Sequence, residues 1–137
     1  MEKRNTTLNK HILITFSHAE RRSVNPKNII ERFTSRFSCE AVVVAKENHK
    51  EKGCYHYHVG MKAHDASRYT AAKFIRATFP EFDGMQCNVE YRKGWGPICK
   101  YITKEDKDPL VWDEITKEEV LAVADATKKK KRVHGLD

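Results

Sequence analysis

His56 and His58, in the run Gly53-Cys54-Tyr55-His56-Tyr57-His58-Val59-Gly60, are two imidazoles one residue apart. On a β-strand, alternate side chains share a face, so both rings project the same way from Cα atoms ~6.5–7 Å apart. Two imidazoles at that spacing can converge on one metal ion, while Tyr55, Tyr57 and Val59 turn to the opposite face for packing. Upstream, the β-branched run Glu40-Ala41-Val42-Val43-Val44-Ala45-Lys46-Glu47 reads as a buried strand with Glu47 at its exit. The polar stretch Asn48-His49-Lys50-Glu51-Lys52-Gly53 reads as a hairpin loop, and antiparallel pairing would bring Glu47 to the histidine pair. Two neutral imidazoles and a carboxylate suit Mg²⁺ or Mn²⁺ in phosphoryl transfer, Mn²⁺ being the better match to nitrogen ligands. His49 competes as a ligand, but its place in the loop favours a solvated role. Taken alone, the histidine pair reads more readily as a solvated strand face.

A second group lies in Pro97-Ile98-Cys99-Lys100-Tyr101-Ile102-Thr103-Lys104-Glu105, where Gly94 and Gly96 flank Trp95 and Pro97 is placed as the first helical residue. On a helix, Tyr101 and Lys104 stand three apart on one face. A phenol is a weak nucleophile while protonated, with a reference pKa of ~10. A nearby ammonium or metal favours the phenolate and steadies the charge that grows on an attacked phosphate. A tyrosine and lysine at this spacing also fit an ordinary amphipathic helix.

Order makes the combination more specific than its members. A first strand His11-Ile12-Leu13-Ile14-Thr15-Phe16-Ser17 precedes Glu47, then His56-Tyr57-His58, then Tyr101-Ile102-Thr103-Lys104. This series resembles the three motifs of the HUH endonucleases, specifically the replication initiator (Rep) proteins of small circular single-stranded DNA viruses and related plasmids. Ile14-Thr15-Phe16-Ser17 is similar to the first motif, His56-Tyr57-His58 to the second and Tyr101-x-x-Lys104 to the third, over roughly residues 10–112. The resemblance implies a metal-dependent enzyme that nicks and rejoins single-stranded DNA at a replication origin. It implies Tyr101 as nucleophile, a 5′-phosphotyrosine link, a free 3′-hydroxyl that primes rolling-circle replication, and Lys104 orienting Tyr101 or the phosphate. Glu47, His56 and His58 would hold the ion. A transposase or relaxase of the same superfamily would share this chemistry.

Single-strand recognition needs stacking surfaces, base-edge donors and phosphate contacts beside the catalytic face. Thr15 and Ser17 on one face of the first strand, with His18 at its exit, form one candidate set. Arg92, Lys93 and Trp95, just before the tyrosine helix, form the other; Trp95 is assigned equally to base stacking or to the core beneath that helix. These aromatic and basic residues also suit a non-catalytic nucleic-acid-binding module of RRM type, a reading that leaves Glu47, His56, His58 and Tyr101 as coincidences.

The elements that must position these residues suggest an α+β domain. Asn25-Pro26 opens a helix to about Ser38 with Ile29, Ile30, Phe33 and Phe37 on one stripe. Glu40–Glu47 and Gly53–Lys62 make the hairpin, and Ser67 caps a helix to about Phe79, with Ala71, Phe74, Ile75 and Phe79 as its apolar face. Cys87-Asn88-Val89-Glu90-Tyr91-Arg92 alternates as a strand. Thr116 caps a last helix to about Ala126, with Val120, Leu121 and Val123 inward. The expected architecture is a central antiparallel sheet of about five strands, ferredoxin-like or RRM-like, with helices mainly on one face and the active site on the other.

The chain has 137 residues and is expected to form one nuclease domain over 1–126 with a basic tail or linker over 127–137. The four cysteines lack metal-ligand spacing and lie in apolar segments, which argues against a disulfide frame or structural zinc. No run reaches transmembrane length, and the polar start is no signal peptide, so no membrane partner is expected and the site of action is placed in the nucleus or cytoplasm of a host cell. The net charge is +7, but Lys128-Lys129-Lys130-Lys131-Arg132 holds five of these charges and leaves the remainder at +2. That run is read as an import signal, a nonspecific DNA contact or a solvated tail. No Gly-x-x-x-x-Gly-Lys-[Ser/Thr] run is present. Related Rep proteins carry a helicase after the nuclease, so the chain is read as an excised nuclease domain whose full-length form could be a homo-oligomer.

Overall fold

The computed structural model describes residues 10–21, 24–50, 53–64, 72–82, 87–112 and 117–136, except for the side chains of Glu105 and of residues 128–136. Strand β1 (His11–Phe16) leads through a 3₁₀ turn (Ala19–Arg21) to helix α1 (Pro26–Arg36). Strands β2 (Cys39–Asn48) and β3 (Tyr55–Ala63) form the hairpin, followed by α2 (Ala72–Ala77), β4 (Cys87–Tyr91), α3 (Trp95–Glu105), β5 (Leu110–Val111) and α4 (Lys117–Leu136). All pairings are antiparallel, in the order β4-β1-β3-β2-β5. The α+β class and five-stranded antiparallel sheet agree with the sequence reading.

Period-2 alternation divides the sheet into two apolar surfaces. On one, Ile12, Ile14, Phe16, Val42, Val44, Tyr57, Val59 and Met61 join α1 and the α2 region through Ile29, Phe33, Ile75, Phe79 and Phe82. Asn25 caps α1: its side chain accepts from the Asn28 amide at 2.9 Å, and Asn28 returns the bond to the Asn25 amide at 3.4 Å, just before Pro26 at the helix start. Arg32 clamps this layer with a bidentate pair to Glu81 at 2.7 and 2.6 Å.

The other surface is partly covered too, which refines the expectation of helices mainly on one face. Leu13, Ala41, Val43 and Ala45 lie beneath Trp95, Ile98, Cys99 and Ile102 of α3, with Val120 and Ala124 of α4 joining the cluster. Covering α3 this way buries the apolar half of an amphipathic helix that would otherwise face water. The end of the sheet that carries His56 and Glu47 is left half-exposed beside it.

Several boundaries differ from the sequence reading. Helix α3 starts at Trp95, so Pro97 is its third residue, where the amide it lacks has no intrahelical acceptor anyway. Helix α4 runs through the expected junction at 126/127 to Leu136, in keeping with the good helix propensity of lysine and arginine. Among its described side chains Val120 and Ala124 are buried, and Leu121 and Val123 are half-buried, with Val123 packed against the same cluster. Ser67, Ala71 and Thr116 lie outside the described residues. No helix among the described residues is long and apolar enough to cross a membrane. All four cysteines are free thiols, with burial pushing Cys87 up to about 11 and Cys99 up to about 12.

Candidate active site

The hairpin register places Glu47 opposite His56 and Ala45 opposite His58, while β1 places Thr15 against His58 from the other side. Thr15, Glu47, His56 and His58 therefore share the α3 face at one end of the sheet. The hairpin closes with Gly53 at φ +84°, a left-handed turn position that glycine adopts without the Cβ clash.

His58 is 2% exposed and is held at both nitrogens. Its Nε2 lies 2.7 Å from Glu47 Oε1 and its Nδ1 lies 3.2 Å from Thr15 Oγ1. An ionised carboxylate only accepts, so Nε2–H donates to Glu47; in the neutral ring Nδ1 then accepts from the Thr15 hydroxyl. His56 accepts a 3.3 Å bond at Nδ1 from the backbone N–H of His18. His18 adopts φ +52°, uncommon outside glycine, at the turn that aims this amide. Burial first, then neighbouring His49, holds His56 below the ordinary imidazole range and keeps it neutral. Glu20 accepts the Tyr55 amide at 2.9 Å, which pulls its carboxyl below the usual range and anchors the start of β3 under the turn.

Tyr101 projects from α3 with its ring edge-to-face on His58, centroids 5.1 Å apart, and is 38% exposed. Of the described tyrosines it is the one on this face. Tyr55, Tyr57 and Tyr91 pack with the opposite core, where burial raises the Tyr57 phenol to about 12 and also raises Tyr91. Lys104 is exposed one turn on and shares a cleft of about 330 Å³ with Tyr101, Pro97, Lys100 and Thr127. The far end of α3 is tied to the sheet by Asp106, which accepts the Lys46 amide at 2.9 Å beside Glu47.

Among the described residues, no three His, Cys, Asp or Glu side chains are gathered closely enough to hold an ion as they stand. Glu47 and His58 instead bond to each other. The donor set nevertheless fits a divalent ion: a carboxylate and an imidazole already face each other, and His56 is kept neutral beside them. An ion at His58 Nε2 would replace its proton, and the Thr15 hydroxyl can accept from Nδ1–H as readily as it donates.

The recognition candidates divide. Thr15 joins the site, bonded to His58, and His18 joins it through its backbone amide to His56. Ser17 is half-buried in the turn beyond β1, past the paired register that was expected to align it with Thr15. Arg92 is occupied by Glu90 at 2.6 Å on the sheet edge, while Lys93 is exposed in the following bend. Trp95 is 9% exposed and packs under α3 against the space above Gly60, so its indole belongs to the core and offers no open face for a base. His49, read from the sequence as a solvated loop residue, turns back onto His56 with ring centroids 3.9 Å apart. Its amide bonds to the Cys54 carbonyl at 2.9 Å, a pairing just beyond Asn48–Tyr55 that extends the hairpin.

A comparison with protein-family models gives no match, and a comparison with curated proteins gives none.

Proposed function

We propose that the protein is a metal-dependent endonuclease and strand transferase for single-stranded DNA, with Tyr101 as the nucleophile. The observation that carries this reading is the packing of Tyr101, from a distant part of the chain, against His58 on the face that also holds Glu47, His56 and Thr15. A structural histidine pair has no need of an exposed tyrosine above it.

Glu47, His56 and His58 would hold the divalent ion, which when bound supplies Lewis-acid polarisation of a phosphate oxygen. The Tyr101 oxygen attacks phosphorus, forming the tyrosyl ester as the bond to the 3′ oxygen breaks. The phenolic proton leaves to solvent and the departing 3′ oxygen gains one, giving a 3′-hydroxyl. Lys104, one turn from Tyr101, favours the phenolate and the charge on the phosphate. The ester conserves the bond, so attack by a 3′-hydroxyl rejoins strands without a nucleotide cofactor. An origin of rolling-circle replication is the substrate suggested by the motif resemblance. The buried Trp95 argues against the RRM-type alternative, which relied on it for stacking.

Incubation with a randomised pool of single-stranded DNA and Mn²⁺ tests the reading. A covalent adduct on a denaturing gel, mapped to Tyr101 by mass spectrometry, is expected. It should vanish on chelation and in Tyr101→Phe, which should still bind DNA. Persistent cleavage by Tyr101→Phe would overturn the nucleophile assignment.

A further inference from the structure

The aromatic side chains of the site follow one another as a row of ring neighbours, from Tyr101 on α3 through His58 and His56 of β3 to His49 at the hairpin loop. Tyr101 lies 5.1 Å from His58, His58 lies 6.1 Å from His56, and His56 lies 3.9 Å from His49, all as ring-centroid distances. A cleft flanks each end of this row. Beyond His56, a space of about 620 Å³ is lined by His18, Asn48, His49 and Lys50 together with Glu47 and His56. Beside Tyr101, the smaller cleft is lined by Lys100 and Lys104, which stand four apart on one helical face, with Thr127 of α4 opposite. Each cleft thus pairs open volume with at least one ammonium group, the chemistry that receives a nucleic-acid phosphate.

We propose that the two clefts set the direction in which DNA crosses the site: the strand upstream of the break lies over His49 and Lys50, and the strand downstream of it lies along Lys100 and Lys104. This rests on the tyrosyl-transfer reading above. In-line displacement requires the attacking and departing oxygens on opposite sides of phosphorus. With Tyr101 at one end of the row and the phosphate above the histidines, the departing 3′ oxygen points to the other end, into the cleft of His49 and Lys50. The upstream strand carries that oxygen. The downstream strand remains esterified to Tyr101, and the cleft that the tyrosine itself lines is the cationic surface within its reach. His49 and Lys50 thereby gain a role in holding the end that must wait for rejoining, and Lys100 one in holding the tethered strand.

The test uses the Tyr101→Phe protein in chelator, so that neither cleavage nor metal binding enters. Fluorescence anisotropy measures its affinity for three oligonucleotides based on a strand that the parent protein cleaves, with the sequence known on both sides of the break: a short core, the core extended upstream, and the core extended downstream. Adding Lys50→Gln should cancel the affinity gained from the upstream extension alone, and adding Lys100→Gln that gained from the downstream extension alone. Each loss should lower the log–log salt slope by about 0.7, the value for one phosphate contact on a single strand. Lys50→Arg and Lys100→Arg, which keep the charge, should retain the gain, and circular dichroism checks that the glutamine variants remain folded. A reversed pattern, or equal loss on both extensions, would overturn the polarity while leaving the adduct, and with it the reaction, standing.

Discussion

Thr15 supports the candidate site through the ring of His58. Its contact with His58 Nδ1 fixes the ring that Glu47 holds from the other side, and a hydroxyl can satisfy Nδ1 as donor or acceptor. Losing such a supporting partner costs about 10–100-fold in metal affinity. If the proposed ion binds there, Thr15→Val should weaken Mn²⁺ binding by that order in calorimetry, and Thr15→Ser should restore it; equal binding by the valine and serine proteins would remove the hydroxyl from the proposed metal site. His56 yields a prediction in pH. Its lowered pKa, caused first by burial, keeps it neutral below ~6.5, the pH at which the unfolded imidazole takes up a proton. The unfolded chain then binds more protons than the folded one, so this residue's contribution to stability is complete above ~6.5 and is lost as pH falls through the lowered value. In the metal-free protein, the His56 ring-proton shifts in nuclear magnetic resonance should titrate with a midpoint below 6.5. A midpoint at or above that value contradicts the assignment.

At the scale of elements, placement of Tyr101 depends on how closely α3 approaches the sheet, and Gly60 sets that distance. A Cβ there would stand 2.7 Å from Ile98 Cγ2, 3.2 Å from Val43 Cγ1 and 3.4 Å from the Trp95 ring. The Ile98 methyl branches next to the helix backbone and cannot swing aside, so the helix itself must move. Gly60→Ala should cost about 1–3 kcal/mol in denaturant unfolding, a usual price of overpacking, and should reduce adduct formation more than DNA binding. Gly94→Ala is the control, because its Cβ would meet only Pro97 Cδ at 3.8 Å; it should cost no more than about 1 kcal/mol and keep the adduct. Unchanged adduct yield in Gly60→Ala would show that α3 tolerates displacement. This close approach was not legible in the sequence, since it couples β3 to a helix far along the chain. The stripe of Ile29, Ile30 and Phe33 was legible because period 3.6 is local, and the Glu47–His56 pairing because the hairpin is short. Strand β5 has two residues, too few for any period, and it exists through pairing with Val43 and Val44. Trp95 was ambiguous for a related reason: an indole before a helix packs or stacks according to what lies beneath it, and beneath it lies a glycine.

Across the whole molecule, the proposed reading raises the question of where the positive charge would meet a single strand. Five of the seven net charges lie in Lys128–Arg132, within a single helix that continues from the folded body. The first half of α4 is fastened to α3: Val120 and Ala124 are buried, and a Cβ at Gly96 would strike Thr127 Oγ1. The basic run begins immediately after Thr127, a residue that lines the cleft beside Tyr101. A continuous helix spaces these residues at ~1.5 Å each along its axis, so under the proposed reading the run would extend the contact with a bound strand beyond the reacting phosphate. Replacing all five residues by glutamine, which has comparable helix propensity, should leave the thermal midpoint nearly unchanged. The log–log salt slope for a long single strand should fall by up to about 3.5, or about 0.7 for each phosphate contact removed. Single-turnover cleavage at saturating strand should hold its rate, because none of the five residues reaches the reacting atoms under the proposed mechanism. An unchanged salt slope would identify the run as a solvated tail with no part in binding, and a fall in the saturated cleavage rate would place it in the chemistry instead.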